Sequence, residues 1–279
     1  MPLKAKKPEE TTKRLKLFLF GAASTGKTRC ALQFPKTYFF DCEKGTDNYN
    51  DLFEESGSVR MQTTDVNEIV DELRQLATTK HDYKTVCIDP MTILESDLVL
   101  KAEDQGLDSF AVWRMRDRVM KRVENLLYKL DMNVIVICHG KIDYGDNMKK
   151  LGTTYDGWKR WIFVFDLAIE LYRAGSKTHG LVRKTRLKQF PEGEDFLFSY
   201  TAIADRFGKE IVEKPSQPIE LANADDVTKL TRLLGAIVIP KGTVERWKTK
   251  AGVEDFAEMT TVQIGACIEY LEKKGRGEK

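Results

Sequence analysis

The chain is short of the residues that build metal centres and disulfide frameworks. It has three histidines, His81, His139 and His179, and five scattered cysteines, Cys30, Cys42, Cys87, Cys138 and Cys267, with no C-x-x-C spacing. That argues against a zinc site and predicts reduced, buried thiols, because four of the cysteines lie inside apolar strand or helix patterns. No apolar run approaches the ~20 residues that span a bilayer, and the opening Met1-Pro-Leu-Lys-Ala-Lys-Lys lacks a signal-peptide hydrophobic stretch. A soluble, cytoplasmic protein with no membrane partner is expected. Charge of one sign is also missing: the net +2 is too small by itself to indicate nucleic acid. No internal repeat is present.

What the chain does have is an apolar strand running into a glycine-bounded loop, Phe18-Leu-Phe-Gly21-Ala22-Ala23-Ser24-Thr25-Gly26-Lys27-Thr28. This G-x-x-x-x-G-K-T pattern reads as a phosphate-binding loop. The glycines permit a tight path with backbone N–H groups turned toward phosphate oxygens, Lys27 sits on the β and γ phosphates, and Thr28 offers its hydroxyl to magnesium. Gly21, Ala22, Ala23, Ser24, Thr25, Gly26, Lys27, Thr28 and Arg29 are the expected nucleotide contacts, with ATP and Mg2+ as cofactors. The context agrees: Leu15–Phe20 is a buried-strand run, and Thr28–Phe34 predicts a first helix stopped at Pro35.

Further strands are predicted at Thr37–Asp41, Thr85–Asp89, Asn133–Cys138, Leu167–Tyr172, Leu181–Leu187 and Phe196–Tyr200, with helices over Met91–Ala102 and, on helical apolar spacing, Val66–Ala77 and Phe110–Leu130. Alternation of this kind indicates an α/β sheet, parallel in its first half and flanked by helices, with an antiparallel edge where the closing strands follow one another quickly. The 42% apolar content of 279 residues can bury a core of about 200 residues plus a small appended domain. The expected division is a basic, frayed leader (1–14), an ATPase core (15–211), a proline-containing linker (212–224) and a small helical module (225–279). The module's helices are expected near 225–236, 243–251 and 261–273, with Thr243 and Thr260 or Thr261 as N-caps and Gly252 or Gly275 as stops.

Three strand ends carry candidate chemistry. Val86-Cys87-Ile88-Asp89 ends in a carboxylate suited to holding magnesium through water, or to capping the next helix. Tyr38-Phe39-Phe40-Asp41-Cys42-Glu43 places Glu43 where a carboxylate can polarise an attacking water, unless Asp41 and Glu43 only form a solvated turn. Val134-Ile-Val-Ile-Cys138-His139 delivers His139 to the carboxyl edge of a parallel sheet, where ligands bind; the residue is a γ-phosphate sensor or a structural histidine.

The order and spacing of these elements over roughly residues 14–210 resemble the core of the RecA-type recombinases, P-loop NTPases, and more closely their short, core-only phage relatives in recombination and single-strand annealing. The resemblance implies a RecA-like fold and Glu43 as the catalytic base. It also implies Asp47 at the position that contacts the adenine amino group, Asp89 on magnesium, and His139 where the family has a sensor glutamine. Leu181-Val-Arg-Lys184-Thr-Arg186 resembles the strand whose basic pair reaches the γ-phosphate bound by a neighbouring subunit, so Lys184 and Arg186 are either trans-acting fingers or protectors of a sheet edge. ATP then lies at interfaces of a self-associated filament or ring. The resemblance further implies a phage protein working in a bacterial host's cytoplasm.

In that fold the loops after the magnesium and sensor strands hold single-stranded DNA, here about residues 101–113 and 141–161. The second interleaves Lys141, Lys149, Lys150, Tyr155, Trp158, Lys159 and Arg160, a mixture suited to phosphate pairing and base stacking. Trp161 is shared between this reading and a core role, since apolar residues follow it. In the C-terminal module Ile264, Cys267, Ile268 and Leu271 form a stripe expected to pack on Leu230, Leu233 and Leu234. The module offers DNA contact through Lys241, Arg246, Lys248 and Lys250, or recruits a partner such as a single-strand-binding protein. The function expected is a DNA-stimulated ATPase of phage recombination and single-strand annealing. The alternatives are a P-loop helicase or helicase-loader, and a nucleotide-gated DNA- or protein-binding module with little turnover.

Overall fold

The computed structural model describes residues 13–144 and 149–277. Among them the chain divides into two compact units that interleave in sequence. The first gathers the segment ending at Thr63, Asp82–Ile93 and Met132–Pro215; the second gathers Thr64–His81, Leu94–Asp131 and the segment from Ser216. Compactness therefore follows a different division from the linear one expected of core, linker and module.

The first unit holds the sheet. Its strands are β1 (Lys16–Gly21), β2 (Thr37–Asp41), β3 (Val59–Gln62), β4 (Thr85–Asp89), β5 (Asn133–Tyr144), β6 (Lys150–Asp156), β7 (Leu167–Ala174), β8 (Lys177–Thr185) and β9 (Asp195–Leu197). They lie in the order β3-β2-β4-β5-β1-β7-β8-β9, with β6 pairing on β5. The strands from β3 through β7 along that order are parallel, while β8, β9 and β6 are antiparallel to their neighbours. The mostly parallel sheet with an antiparallel edge is the one expected.

β1 shows why the centre of the sheet is fixed. Both of its faces are apolar, so both must be covered. Leu15, Leu17 and Leu19 pack with Cys30, Leu32 and Phe34 on one side, in a cluster that takes in Ile203 and Val212 of α7 (Tyr200–Phe207) and α8 (Lys209–Val212). On the other, Phe18 stacks on Phe165 at 5.6 Å between ring centroids and meets Tyr155 edge-on at 5.0 Å. Besides α7 and α8 the unit holds three short helices, α1 (Lys27–Ala31) after β1, α2 (Asn50–Ser56) after β2 and α6 (Trp161–Val164) before β7. α1 ends earlier than Phe34, the remaining residues to Pro35 being turns.

Four strands depart from expectation. β8 begins at Lys177 rather than Leu181, because a two-residue turn at Gly175-Ser176 lets the polar Lys177-Thr-His-Gly stretch pair with β7 from Ala174 onward. The strand expected at Phe196–Tyr200 stops at Leu197, because Ser199 accepts a hydrogen bond from the Ala202 amide and starts α7. β3 and β6 carry too few apolar residues to announce themselves, and β6 exists only because β5 runs on to Tyr144 and folds back as a hairpin.

Arg14 also departs from expectation, being buried rather than frayed. Its guanidinium donates to the carbonyls of Ile211, Lys214 and Pro215 at 2.6–3.0 Å, which ties the end of α8 beside β1. Residues 1–12 of the expected leader lie outside the described residues.

The second unit contains α3 (Val66–Thr78), most of α4 (Met91–Asp104), α5 (Ser109–Lys129), α9 (Ala224–Ala236), α10 (Thr243–Ala251), a 3-10 turn at Phe256–Glu258 and α11 (Thr261–Gly275). Asp65 and Asp108 cap α3 and α5. Thr260 and Gln263 form a capping box on α11, whereas Gly242, not Thr243, caps α10. The expected stripe does pack as a core: Ile264, Cys267, Ile268 and Leu271 close around fully buried Leu230, flanked by Leu233 and Leu234. Leu230→Ala is therefore expected to cost about 2–5 kcal/mol in a denaturant melt; a loss under about 1 kcal/mol would show that this cluster carries no such packing.

Candidate nucleotide-binding site

Parallel pairing sets the site. Gly21 of β1 aligns with His139 of β5, and Asp41 of β2 aligns with Asp89 of β4, so the loop, Glu43, Asp89 and His139 gather at one edge of the sheet. Between β1 and β4 stands β5 alone. Gly26, left-handed at φ 89°, turns the chain from the loop into α1. Gly140 has no room for a side chain, since a Cβ there would meet the Gly21 carbonyl carbon at 2.7 Å. The end of β5 thus lies against the loop's backbone.

Within that edge is a cavity of about 550 Å³ lined by loop residues Ala23, Ser24, Gly26, Lys27, Thr28 and Arg29, by Glu43, Gly45 and Tyr49, and by Asp89, His139 and Gly140. Lys27 is buried and donates to the carbonyls of Gly21 and Ala22 at 2.9 and 2.8 Å. Burial holds its ammonium below its ordinary value, against the upward pull of Asp89 and Glu43. The Thr28 hydroxyl donates to Asp89 Oδ2 at 2.6 Å. Burial pushes the Asp89 carboxyl up to about 7, with the Thr28 hydrogen bond pulling it back. A buried carboxylate and a hydroxyl in contact beside a phosphate loop are the hard oxygen donors magnesium takes. No group of three or more His, Cys, Asp or Glu suited to a metal exists among the described residues. Phosphate and water oxygens would complete the coordination.

Asp41 is the structural carboxylate of the neighbouring strand end. Fully buried, it accepts from the amides of Gly45 and Thr46, from the Thr46 hydroxyl at 2.5 Å and from Gln62. Burial drives its pKa up, but these hydrogen bonds outweigh it and leave the carboxyl below its ordinary value. The turn they fix presents Glu43 to the cavity, where Glu43 Oε2 and His139 Nε2 are 3.2 Å apart and both side chains are partly exposed. His139's backbone amide is held by the Thr92 hydroxyl, which itself donates to the Asp156 carbonyl.

Other expected residues stand apart. Asp47 is exposed, paired with Arg60 at 3.1 Å and with Gln62 at 2.9 Å, and does not line the cavity. Lys184 and Arg186 lie at the opposite end of the sheet from their own loop, because β8 runs antiparallel to β7. There Lys184 donates to the Phe165 carbonyl, while Arg186 donates to the Phe163 carbonyl and pairs with Asp166 at 3.2 Å. Of the expected DNA residues, Trp158 requires correction: it is 3% exposed, edge-on to fully buried Trp161, and presents no face to a base. Packing on Trp161, which in turn meets Phe165, claims it, while the aromatic face of β1 claims Tyr155 in part, whose hydroxyl donates to the Lys159 carbonyl. Lys141 pairs with Asp156 at 2.9 Å, and Lys149, Lys159 and Arg160 are exposed. The Lys150 side chain lies outside the described residues.

Tyr49, Gly45, Gly140 and Thr178 were not legible as site residues. Thr178 donates to the Thr25 carbonyl at 3.1 Å and so braces the loop from β8. Only Gly140 carried a signal, a glycine directly after a strand-end histidine.

Because Asp41 is held below its ordinary value, its stabilisation is full above the unfolded value of about 4 and is lost as pH falls through the folded one. Asp41→Asn is expected to cost about 1–3 kcal/mol at pH 7, measured by denaturant melts, with the gap to the parent narrowing below about pH 4. A gap that stays constant down to pH 3 would contradict this.

Comparison with known proteins agrees with the loop. The AAA domain family matches residues 13–160, more than half of the chain. Among solved structures, the crystal structure of the RadB recombinase matches at 17% identity with a TM-score of 0.45, covering 74% of this chain and 91% of its own. No curated protein matches. With a glycine-bounded loop joining the central parallel strand β1 to α1 and a family match over residues 13–160, the chain belongs to the AAA domain family.

Proposed function

We propose that the protein is an ATPase of DNA recombination that hydrolyses ATP when bound to single-stranded DNA and acts in single-strand annealing in a phage-infected cell. The observation that carries this reading is the convergence of Lys27, the Thr28–Asp89 pair and Glu43 on one cavity at the carboxyl edge of the sheet. Lys27 gives up its loop carbonyls for the β and γ phosphates. Thr28 and Asp89 hold magnesium, which when bound neutralises charge on those phosphates. Glu43 then orients and polarises the attacking water, and His139, in contact with it, links base and phosphate.

Lys184 and Arg186 serve this chemistry only across an interface, since both lie at the far end of the sheet from their own loop. The reading therefore includes self-association, with ATP between subunits. DNA follows the β5–β6 hairpin and the turn after it through Lys141, Lys149, Lys150, Lys159 and Arg160. The acidic Asp156 beside Lys141 keeps affinity modest and salt-dependent. A nucleotide-gated binding module with little turnover is the second reading, favoured by the Glu43–His139 contact, which occupies the oxygen that would meet the water.

Turnover with and without single-stranded DNA, at low and moderate salt, separates the two. Lys27→Ala is expected to abolish ATP binding, and Glu43→Gln to keep binding while lowering DNA-stimulated turnover by about 10²–10⁴-fold. Glu43→Gln hydrolysing like the parent would refute the catalytic assignment; tight binding with negligible turnover in the parent would establish the second reading.

A further inference from the structure

A loop that turns its amides toward phosphate oxygens turns its carbonyls away from them, and those carbonyls then need donors of their own. In this loop the donors are few. The Gly21 and Ala22 carbonyls accept from Lys27, at 2.9 and 2.8 Å, and the Ala22 carbonyl also accepts from the Thr25 hydroxyl at 3.0 Å. The Thr25 carbonyl accepts from the Thr178 hydroxyl at 3.1 Å. Of these donors only Thr178 comes from outside the loop, 153 residues along the chain.

Thr178 meets the loop where its backbone is most constrained. Thr25 is buried, and the residues on either side of it are both left-handed, Ser24 at φ 61° and Gly26 at φ 89°. Such a conformation costs a serine free energy and persists only where its surroundings impose it. The fit is close, since a Cβ at Gly26 would meet Thr178 Oγ1 at 3.2 Å. β7 presses on the other end of the loop, where a Cβ at Gly21 would collide with the Leu171 carbonyl. Leu171 pairs with Gly180, and Arg173 with Thr178, so both contacts belong to one β7–β8 hairpin.

ATP changes which donors remain. If Lys27 leaves the Gly21 and Ala22 carbonyls for the phosphates, as the nucleotide reading above requires, the Thr25 hydroxyl and Thr178 are left to hold the loop's carbonyls outward. We propose, on the basis of that reading, that Thr178 is a positioning residue for the nucleotide: from β8 it fixes the peptide after Thr25, so that the loop stays shaped for phosphate once Lys27 has moved. Thr178 does not line the nucleotide cavity, and its effect passes through the loop. Holding a site in its bound shape beforehand raises affinity by removing an ordering cost.

The test is ATP titration, with Mg2+, of the full chain carrying Thr178→Val, which removes the hydroxyl at similar size, or Thr178→Ser, which keeps it. Thr178→Val is expected to weaken ATP binding about three- to tenfold, with the melting temperature of the nucleotide-free protein unchanged, and Thr178→Ser to restore the parent affinity. Lys27→Ala is the control for binding at the loop. If Lys27→Ala loses ATP while Thr178→Val binds like the parent, the brace is overturned and the nucleotide reading stands. Thr178→Ser as weak as Thr178→Val, or a lowered melting temperature in Thr178→Val, would also overturn it, by assigning Thr178 to packing alone. A parent that binds no ATP would overturn the nucleotide reading, and the brace with it.

Discussion

Everything at the nucleotide site depends on the parallel register of β5 against β1. With Gly21 opposite His139 and Gly140 pressed against the loop's backbone, the position of the phosphate loop and that of β5 are one constraint. β4 is paired to the other side of β5, and β2 to β4, so Asp89 and Glu43 inherit their places from the same ladder. A one-residue slip would reverse every side chain along β5, turning Ile135 and Ile137 out of the cluster they share with Leu17 and Leu19. Core packing and site geometry are therefore enforced together.

The site itself is held in a charge-poised condition. Lys27 and Asp89 are both buried, the first held down and the second up by desolvation, and each makes do with a local partner: loop carbonyls for Lys27, the Thr28 hydroxyl for Asp89. Asp41 is the opposite case, a buried carboxylate fully supplied with donors and so anchored in its charged form. The same sheet edge thus has one carboxylate built for support and another left short of partners, the arrangement expected where a cation and a polyphosphate are to bind.

Much of this was legible in the sequence because strong local signals carried it. The phosphate loop follows a two-sided apolar strand, and β2, β4, α10 and the α11 stripe fall where composition and periodicity put them. What was not legible depended on distant partners. β3 and β6 have no apolar pattern of their own, Tyr49 and Thr178 reach the loop only through the fold, and Arg14 is buried by carbonyls about 200 residues away. Trp158 misleads for a related reason: next to lysines and arginines it resembles a base-stacking residue, but it is buried edge-on against Trp161.

The central claim is that Thr28 and Asp89 form a magnesium seat for a nucleotide held by the loop. Nucleotide affinity, measured by titrating ATP with and without Mg2+, tests it most directly. The parent should bind ATP far more tightly with Mg2+ than without, and Asp89→Asn should lose most of that difference while keeping its magnesium-free affinity. An Asp89→Asn protein whose magnesium dependence equals the parent's would contradict the account.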